Sequence, residues 1–349
     1  MALSPNTLTT MIDRLYTRQL VDNFFLGSPL WNKLSQNEDP VSGGRQIVDQ
    51  ISYANSYNAG VWGGGINTLP AAFIGHATEA AQPPAFYYFS VAIPETDEIQ
   101  NQDPAQIINI VEAQFELAQM SLRDTLGADI YGDGSLRNGF QTLMGLKAAI
   151  TYSVDPGTPT AVPYAGITRV GATGSRFAPV GNAFWNSNAV ALSGGGGAQT
   201  RWKGTLNYPA GTTIAGAGVI VMQNTFSFCT VNNEAPDLMT ASQLAYNAYY
   251  GTLTQLMRQA TADDLGKQGF TGLLFNNTPL IQDDYCDNDS IYFINSRVFK
   301  LRPYEQGNFR MTGWRQPADQ LVNLRYGIWM GNATCTRPNL LGRLSGITG

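Results

Sequence analysis

The apolar positions of this chain change period several times, and each change marks an element. Over residues 103–131, DPAQIINIVEAQFELAQMSLRDTLGADIY, they recur every three or four residues. Ile108, Val111, Phe115, Ala118, Leu122, Leu126 and Ile130 form one stripe, the spacing that gives a helix a single apolar face. Asp103 is placed to cap this helix, Pro104 takes its first turn, and Gln106 completes a capping box. Gly132 and Gly134 stop it. At 1.5 Å per residue it runs roughly 40 Å, the length of a girder. Elsewhere the period is two. RQIVDQISY (45–53) and FYYFSVAI (86–93) predict strands, and QLVNLRYGIWMGNAT predicts one long strand with Leu321, Asn323, Arg325, Gly327 and Trp329 on one side. GFTGLLFNNTPLIQDD and IYFINSRVFKLRPY each predict strand, turn, strand.

Between these regions the pattern weakens. Ser4 and Pro5 open a short helix with Leu8, Met11, Ile12 and Leu15 at helical spacing. VDNFFLGSPLWNKL follows as an apolar arm that docks on something else. About thirty residues separate the strands at 45–53 and 86–93, rich in Gly and Ala and without a period. A loop of that length is foreign to a compact domain. It fits a two-stranded ribbon that leaves the body, and such a ribbon is marginal alone in water, so it would lie on a neighbouring subunit. Residues 150–230 are dominated by Gly, Thr, Ala, Pro and Ser and predict short strands and turns. A second helix is expected near 240–260, with Thr240 and Gln243 as a capping box and Tyr246, Tyr249, Leu253 and Leu256 as its stripe.

Composition adds a reason for assembly. Charged residues make up 13% of the 349, about half the usual ~25%. A surface of Gly, Ala, Thr, Asn, Gln and Ser loses little when it is pressed against other subunits. The net charge of −5 argues against a general nucleic-acid binder. Cys229, Cys286 and Cys335 are widely spaced without a CxxC, which reads as buried free thiols in a reducing compartment. No signal peptide and no membrane-length apolar run are evident, so the expectation is a soluble protein made inside the cell. Catalytic material is scarce. The one histidine, His76, stands in the Gly/Ala-rich loop without a nucleophile elbow. YGDGS follows a helix where a phosphate cradle would need a strand. The most site-like stretch is DDYCDNDS (283–290). Asp287 and Asp289 alternate as calcium ligands do, but Ser290 stands where a calcium loop needs Gly. On local grounds it is a turn between strands.

Taken in order, these elements resemble the major capsid proteins of tailed bacteriophages, of the HK97 fold. The stretch 236–294, from PDLMTASQLAYNAYYGTLTQLMRQ to CDNDSIYFIN, and DIYGDGS after the long helix carry the resemblance best. It implies an α+β fold: an N-terminal arm (1–40), an extended β-ribbon or E-loop (41–96) and a peripheral domain with a long spine helix (97–145). An axial domain (146–300), peripheral return strands (301–335) and a segment returning to the axial domain (336–349) complete it. It implies pentamers and hexamers around double-stranded DNA bound without sequence specificity, with no membrane, cofactor, metal or catalytic residue. The expected partners are a separate scaffolding protein, a cement protein and a portal at one vertex, and the location is the virion, assembled in the host cytoplasm. Arm and E-loop contacts between subunits fall to Phe24, Phe25, Trp31, Tyr57, Trp62 and Phe73. Some members cross-link an E-loop lysine to an asparagine. This chain has no lysine between Lys33 and Lys147, so the E-loop offers Asn323 no amine, and no isopeptide bond is expected. The alternatives are an encapsulin-like compartment protein, which shares the fold, a tail-tube or adhesin protein, which the long helix disfavours, and an enzyme, which the single histidine disfavours.

Overall fold

The computed structural model describes residues 28–52, 77–96, 104–150, 163–167, 188–191, 193–194, 198–199, 205–208, 212–215, 217–231, 233–253 and 272–347. The helix expected from Ser4, the capping Asp103, His76 and Leu256 lie outside the described residues. Helix α1 (Pro29–Ser35) comes first, with Ser28 as its cap and Pro29 in its first turn. Strands β1 (Ile47–Ser52) and β2 (Ala77–Gln82) form an antiparallel ribbon, Ile47 opposite Gln82 and Ser52 opposite Ala77. Pro83 and Pro84 break the run. The chain then enters β3 (Ala85–Pro94), in which every second residue is buried. The long helix α2 spans Pro104–Ile130, as its stripe predicts. A tight hairpin, β4 (Leu136–Arg137) and β5 (Phe140–Gln141), and the short helix α3 (Leu146–Ala149) follow. The hairpin turns through Asn138 and Gly139, both at positive φ, the geometry that Asn-Gly favours.

Next come β6 (Asn188–Ala191), β7 (Ser193–Gly194), β8 (Ala198–Gln199), β9 (Thr205–Tyr208), β10 (Thr212–Ala215) and helix α4 (Ala217–Cys229). The last corrects the expectation of strands and turns throughout 150–230. Val219, Ile220 and Val221 favour a strand locally, but Val221, Met222, Phe226 and Cys229 fall on one helical face and pack in a shared core, and packing overrides a propensity of a few tenths of a kcal/mol. Strand β11 (Leu238–Ala241) then leads into α5 (Gln243–Tyr250). This helix starts later than the proposed capping box. Thr240 belongs to the strand, and Ser242 is the cap, its Oγ accepting from the Ala245 N–H at 3.3 Å. Strands β12 (Gly272–Phe275), β13 (Thr278–Gln282), β14 (Ile291–Ile294), β15 (Phe299–Pro303), β16 (Arg310–Met311), β17 (Val322–Cys335) and β18 (Gly342–Ser345) complete the chain.

Two sheets organise these elements. In one, β17 pairs with β15 and β16 along one edge and with β3 along the other, from Val322 opposite Pro94 to Gly331 opposite Ala85. The inward side chains of β3 (Tyr87, Phe89, Val91, Ile93) and of α2 (Phe115, Leu122, Leu126, Ile130) belong to one buried cluster. Helix α1 joins it through Leu30, Trp31 and Leu34, with the Trp31 and Trp329 rings edge to face at 6.2 Å. The second sheet has the order β12-β13-β11-β14-β18-β6, so the C-terminal strand lies between β14 and β6. All residues of β11 and β14 are buried, because the first cluster covers one face of this sheet and α4 and α5 the other.

The ribbon is anchored at its base. The Asp39 N–H donates to Leu301 C=O at 3.1 Å, and the Val41 N–H donates to Pro303 C=O at 2.8 Å. The Arg302 guanidinium bonds Asp49 of β1 and stands 3.6 Å from Asp39. Packing is close at Gly327, where an added Cβ would come within 2.2 Å of the Phe89 ring. Phe89 is buried under α2 and has nowhere to go. Gly327→Ala is therefore expected to destabilise the chain by about 1–3 kcal/mol, seen as a lower melting temperature. An unchanged melting temperature would show that the β3–β17 pair tolerates slack.

Candidate functional site

The acidic stretch singled out in the sequence is the turn between β13 and β14, and it is a structural junction. Asp283 is buried. One of its oxygens accepts from Ser28 Oγ at 2.9 Å and from Tyr131 Oη at 3.0 Å, and the other accepts from the Tyr285 N–H at 3.0 Å. These donors come from the cap of α1, the end of α2 and the turn itself. Burial pushes the Asp283 carboxyl above the usual range, while the three donors pull it back. Burial, with the Asp283 charge beside it, holds the Tyr131 hydroxyl well above its usual range, so it stays a donor.

The rest of the turn reaches outward. The Tyr285 ring lies on α2 where Gly127 leaves room, since a Cβ there would meet the ring at 2.8 Å. Its hydroxyl donates to Asp124 at 2.8 Å. A glycine inside a helix costs about 1 kcal/mol relative to alanine, and this contact accounts for it. Asp287 accepts from Lys147 Nζ at 2.7 Å, an Arg343 guanidinium nitrogen at 2.9 Å and Tyr292 Oη at 2.7 Å. The Arg343 guanidinium also stacks on the Tyr292 ring, 5.4 Å from its centroid, and donates to Ser290 Oγ. Asp289 accepts from the Gly346 N–H at 3.2 Å. Burial raises the Cys286 thiol well above its usual range, which makes it unreactive. All three cysteines are buried and none forms a disulfide.

The acidic side chains thus face separate protein donors. Among the described residues no three His, Cys, Asp or Glu side chains are grouped as metal ligands. YGDGS ends α2, and its Asp133 carboxylate accepts from the Ser135 N–H at 3.0 Å in a tight turn. No helix among the described residues is long and apolar enough to cross a membrane. A second buried carboxylate, Asp129 of α2, accepts from Tyr87 Oη at 2.8 Å and pairs with Arg137 of the hairpin. Asn332 accepts from the Met144 N–H at 2.8 Å and donates to Pro83 C=O at 2.7 Å, holding β17, the ribbon end and the segment after α2 together.

No family model and no curated protein matches the chain. Solved structures do. A subunit of the cyanophage A-1(L) capsid superposes with a TM-score of 0.60 at 14% identity, covering 93% of this chain and 94% of that one. The capsid of a native GTA particle gives 0.52 at 10% identity over 90% of each chain. A structure from Mycobacterium phage Ogopogo gives 0.50 at 9% identity over 91% and 92%. The chain has the HK97-like capsid fold. The match runs nearly end to end in both directions, so the α+β architecture of the HK97-like fold spans most of the chain.

Within this fold the residues expected at subunit contacts divide. Phe24, Phe25, Tyr57, Trp62 and Phe73 lie outside the described residues. Trp31 is 2% exposed, packed against Trp329 inside its own protomer. It has no surface left for a neighbour, and Ser28, Pro29, Leu30 and Leu34 beside it in the arm are buried as well. Sequence reasoning passed over a different set. Phe86 (64% exposed) and Tyr88 (74%) lie on the open face of β3, and Leu136 and Phe140 (76%) stand on the hairpin. Leu117 and Met120 are exposed on the outer side of α2. The signal was available: FYYFSVAI is apolar at 86 and 88 on the face that should be polar if water covered it.

Asp283→Ala would leave Ser28, Tyr131 and the Tyr285 N–H without their acceptor. The expected loss is about 3 kcal/mol or more in urea unfolding, with Asp283→Asn milder because it keeps one acceptor oxygen. A loss under 1 kcal/mol for the alanine variant would contradict the junction. Burial pushes half-buried Glu38 from its ordinary 4.5 to about 7. The folded chain therefore holds this proton more tightly than the unfolded one, so stability falls as pH rises from about 4.5 through about 7 and is level above. Glu38→Gln should flatten that slope in melting temperatures taken across the interval. An unchanged slope would assign it to other groups.

Proposed function

We propose that the chain is the major shell subunit of a tailed-phage head. Its copies form pentamers and hexamers of an icosahedral capsid around double-stranded DNA. The observation that carries this reading is the nearly full-length superposition on a subunit of a phage capsid. The exposed apolar side chains on β3, the β4–β5 hairpin and α2 support it, as does a surface with few charges to desolvate.

In this reading the six-stranded sheet with α4 and α5 is the axial domain, which packs around the five- and six-fold axes. The layer of α2 on β3 and β17 is the peripheral domain, with α2 as its spine. The β1–β2 ribbon is the base of the extended loop, and β18 is the C-terminal return to the axial domain. The domain limits are those expected from the sequence, 41–96, 97–145, 146–300, 301–335 and 336–349. The protein is a structural part and not a catalyst. It meets DNA without reading sequence, since a net charge of −5 leaves a packaged genome free to slide. It resides in the virion after assembly in the host cytoplasm, where a scaffolding protein, a cement protein and the portal are its partners.

Stability of the shell comes from buried surface and not from isopeptide bonds. No lysine lies between Lys33 and Lys147 to supply the amine, and Asn323 faces Ile93 across the β17–β3 pair.

Expressed alone and imaged by negative-stain electron microscopy, the chain is expected to give hollow shells, ragged ones where a scaffold is missing. The same particles boiled in SDS should run as one band at the chain mass of 37.8 kDa. Long tubes of narrow bore would contradict the head assignment, and a ladder of covalent multimers would contradict the absence of cross-links.

A further inference from the structure

Among the described residues, β17 is the one strand that pairs with β3, along one of its two edges. The Glu95 N–H donates to Leu321 C=O at 3.0 Å, one step beyond the Pro94–Val322 pair. In an antiparallel ladder the residues that bond a partner alternate with residues that face away from it. The odd-numbered residues of β3 therefore bond β17. Phe86, Tyr88, Ser90 and Ala92 direct their N–H and C=O groups to the other edge. The opposite side of β17 agrees, because its even-numbered residues bond elsewhere: Leu324 with Arg315, the Met330 N–H with Gly307 C=O. Among the described residues no strand pairs with the far edge of β3.

Up to Pro94, its last residue, this edge has none of the usual protections. Natural edge strands carry a charge, a proline or a bulge, or are very short. From Ala85 to Ile93 the sequence AFYYFSVAI has neither a charge nor a proline. Prolines stand only outside it, at Pro83, Pro84 and Pro94. The side chains beside the open edge are Phe86 and Tyr88, and the β4–β5 hairpin next to β3 adds Leu136 and Phe140, all largely exposed.

We propose that the far edge of β3 is an assembly edge, completed by a strand from a second copy of this chain. The inference rests on the shell-subunit reading, which supplies identical copies at high local concentration. A second copy also suits the chemistry. Two uncharged segments meet without repulsion or desolvation of ions, and main-chain hydrogen bonds give the affinity while Phe86, Tyr88 and Phe140 are covered.

Amide hydrogen exchange on assembled particles and on dissociated subunits tests this directly. Phe86, Tyr88, Ser90 and Ala92 should exchange at least about tenfold more slowly in the particles, the protection a paired amide gains over an open one. Ser90→Pro removes an outward N–H and no bond to β17, a position where an edge strand accepts proline. It should leave the subunit folded by circular dichroism and cut the assembled fraction in sedimentation velocity several-fold. Ala92→Lys, which places a charge beside the edge, should act the same way. If particles form and these four amides exchange as freely as in subunits, the edge proposal falls and the shell reading stands. If the wild-type chain is a monomer at every concentration, both fall.

Discussion

The fold depends on β3 meeting β17. Ten consecutive residue pairs join segments from opposite ends of the chain, and little else could form without them. Helix α2 lies on the face they make, the ribbon leaves from the proline break before β3, and β17 delivers the chain to β18 in the other sheet. Contacts so distant in sequence carry a large loop-closure cost and form late. Once made they are dense. Phe89 lies over Gly327, and the Trp329 ring meets Trp31 edge to face and Tyr87 at a tilt. The two tryptophans and the tyrosine bind α1, β3 and β17 into a single core.

A second constraint is polar. Asp283, Asp129 and Asn332 are buried, and each satisfies donors from segments far apart in sequence. Such groups add little net stability, because desolvation offsets much of what the bonds return. They penalise every arrangement in which the donors are elsewhere. The acidic turn therefore behaves as a positioning device. Asp283 sets α1 against α2, and Asp287 sets α3 against β18 through Lys147 and Arg343.

The elements with strong periods were legible in the sequence. The stripe from Phe115 to Ile130 and the alternation of β3 and β17 depend on local spacing alone, and the Asn-Asn turn between β12 and β13 has both φ values positive, as its residues favour. Helix α4 was not legible, because its β-branched start reads as strand until the sheet beneath it is in place. Nor was the start of α5, since whether Thr240 or Ser242 caps depends on Thr240 being claimed by the sheet. The acidic turn was recognisable as a turn, but its partners Ser28, Tyr131, Lys147 and Arg343 are set by topology that no local pattern encodes. The exposed apolar residues were legible only in part. The alternation of FYYFSVAI sets Phe86 and Tyr88 on the face opposite Tyr87 and Phe89, but which face is core follows from α2 lying on one of them.

The protomer is thus closed within and unfinished without. Its apolar core is packed by its own residues, while β3, the hairpin and α2 present apolar side chains to the outside, the surface that the proposed shell subunit would bury against its neighbours. The most direct test of that account is the mass distribution of the purified chain across concentration, measured by mass photometry. The account predicts species at five and six times the chain mass that give way to megadalton closed particles as concentration rises. A single species at the chain mass over the whole range would contradict it.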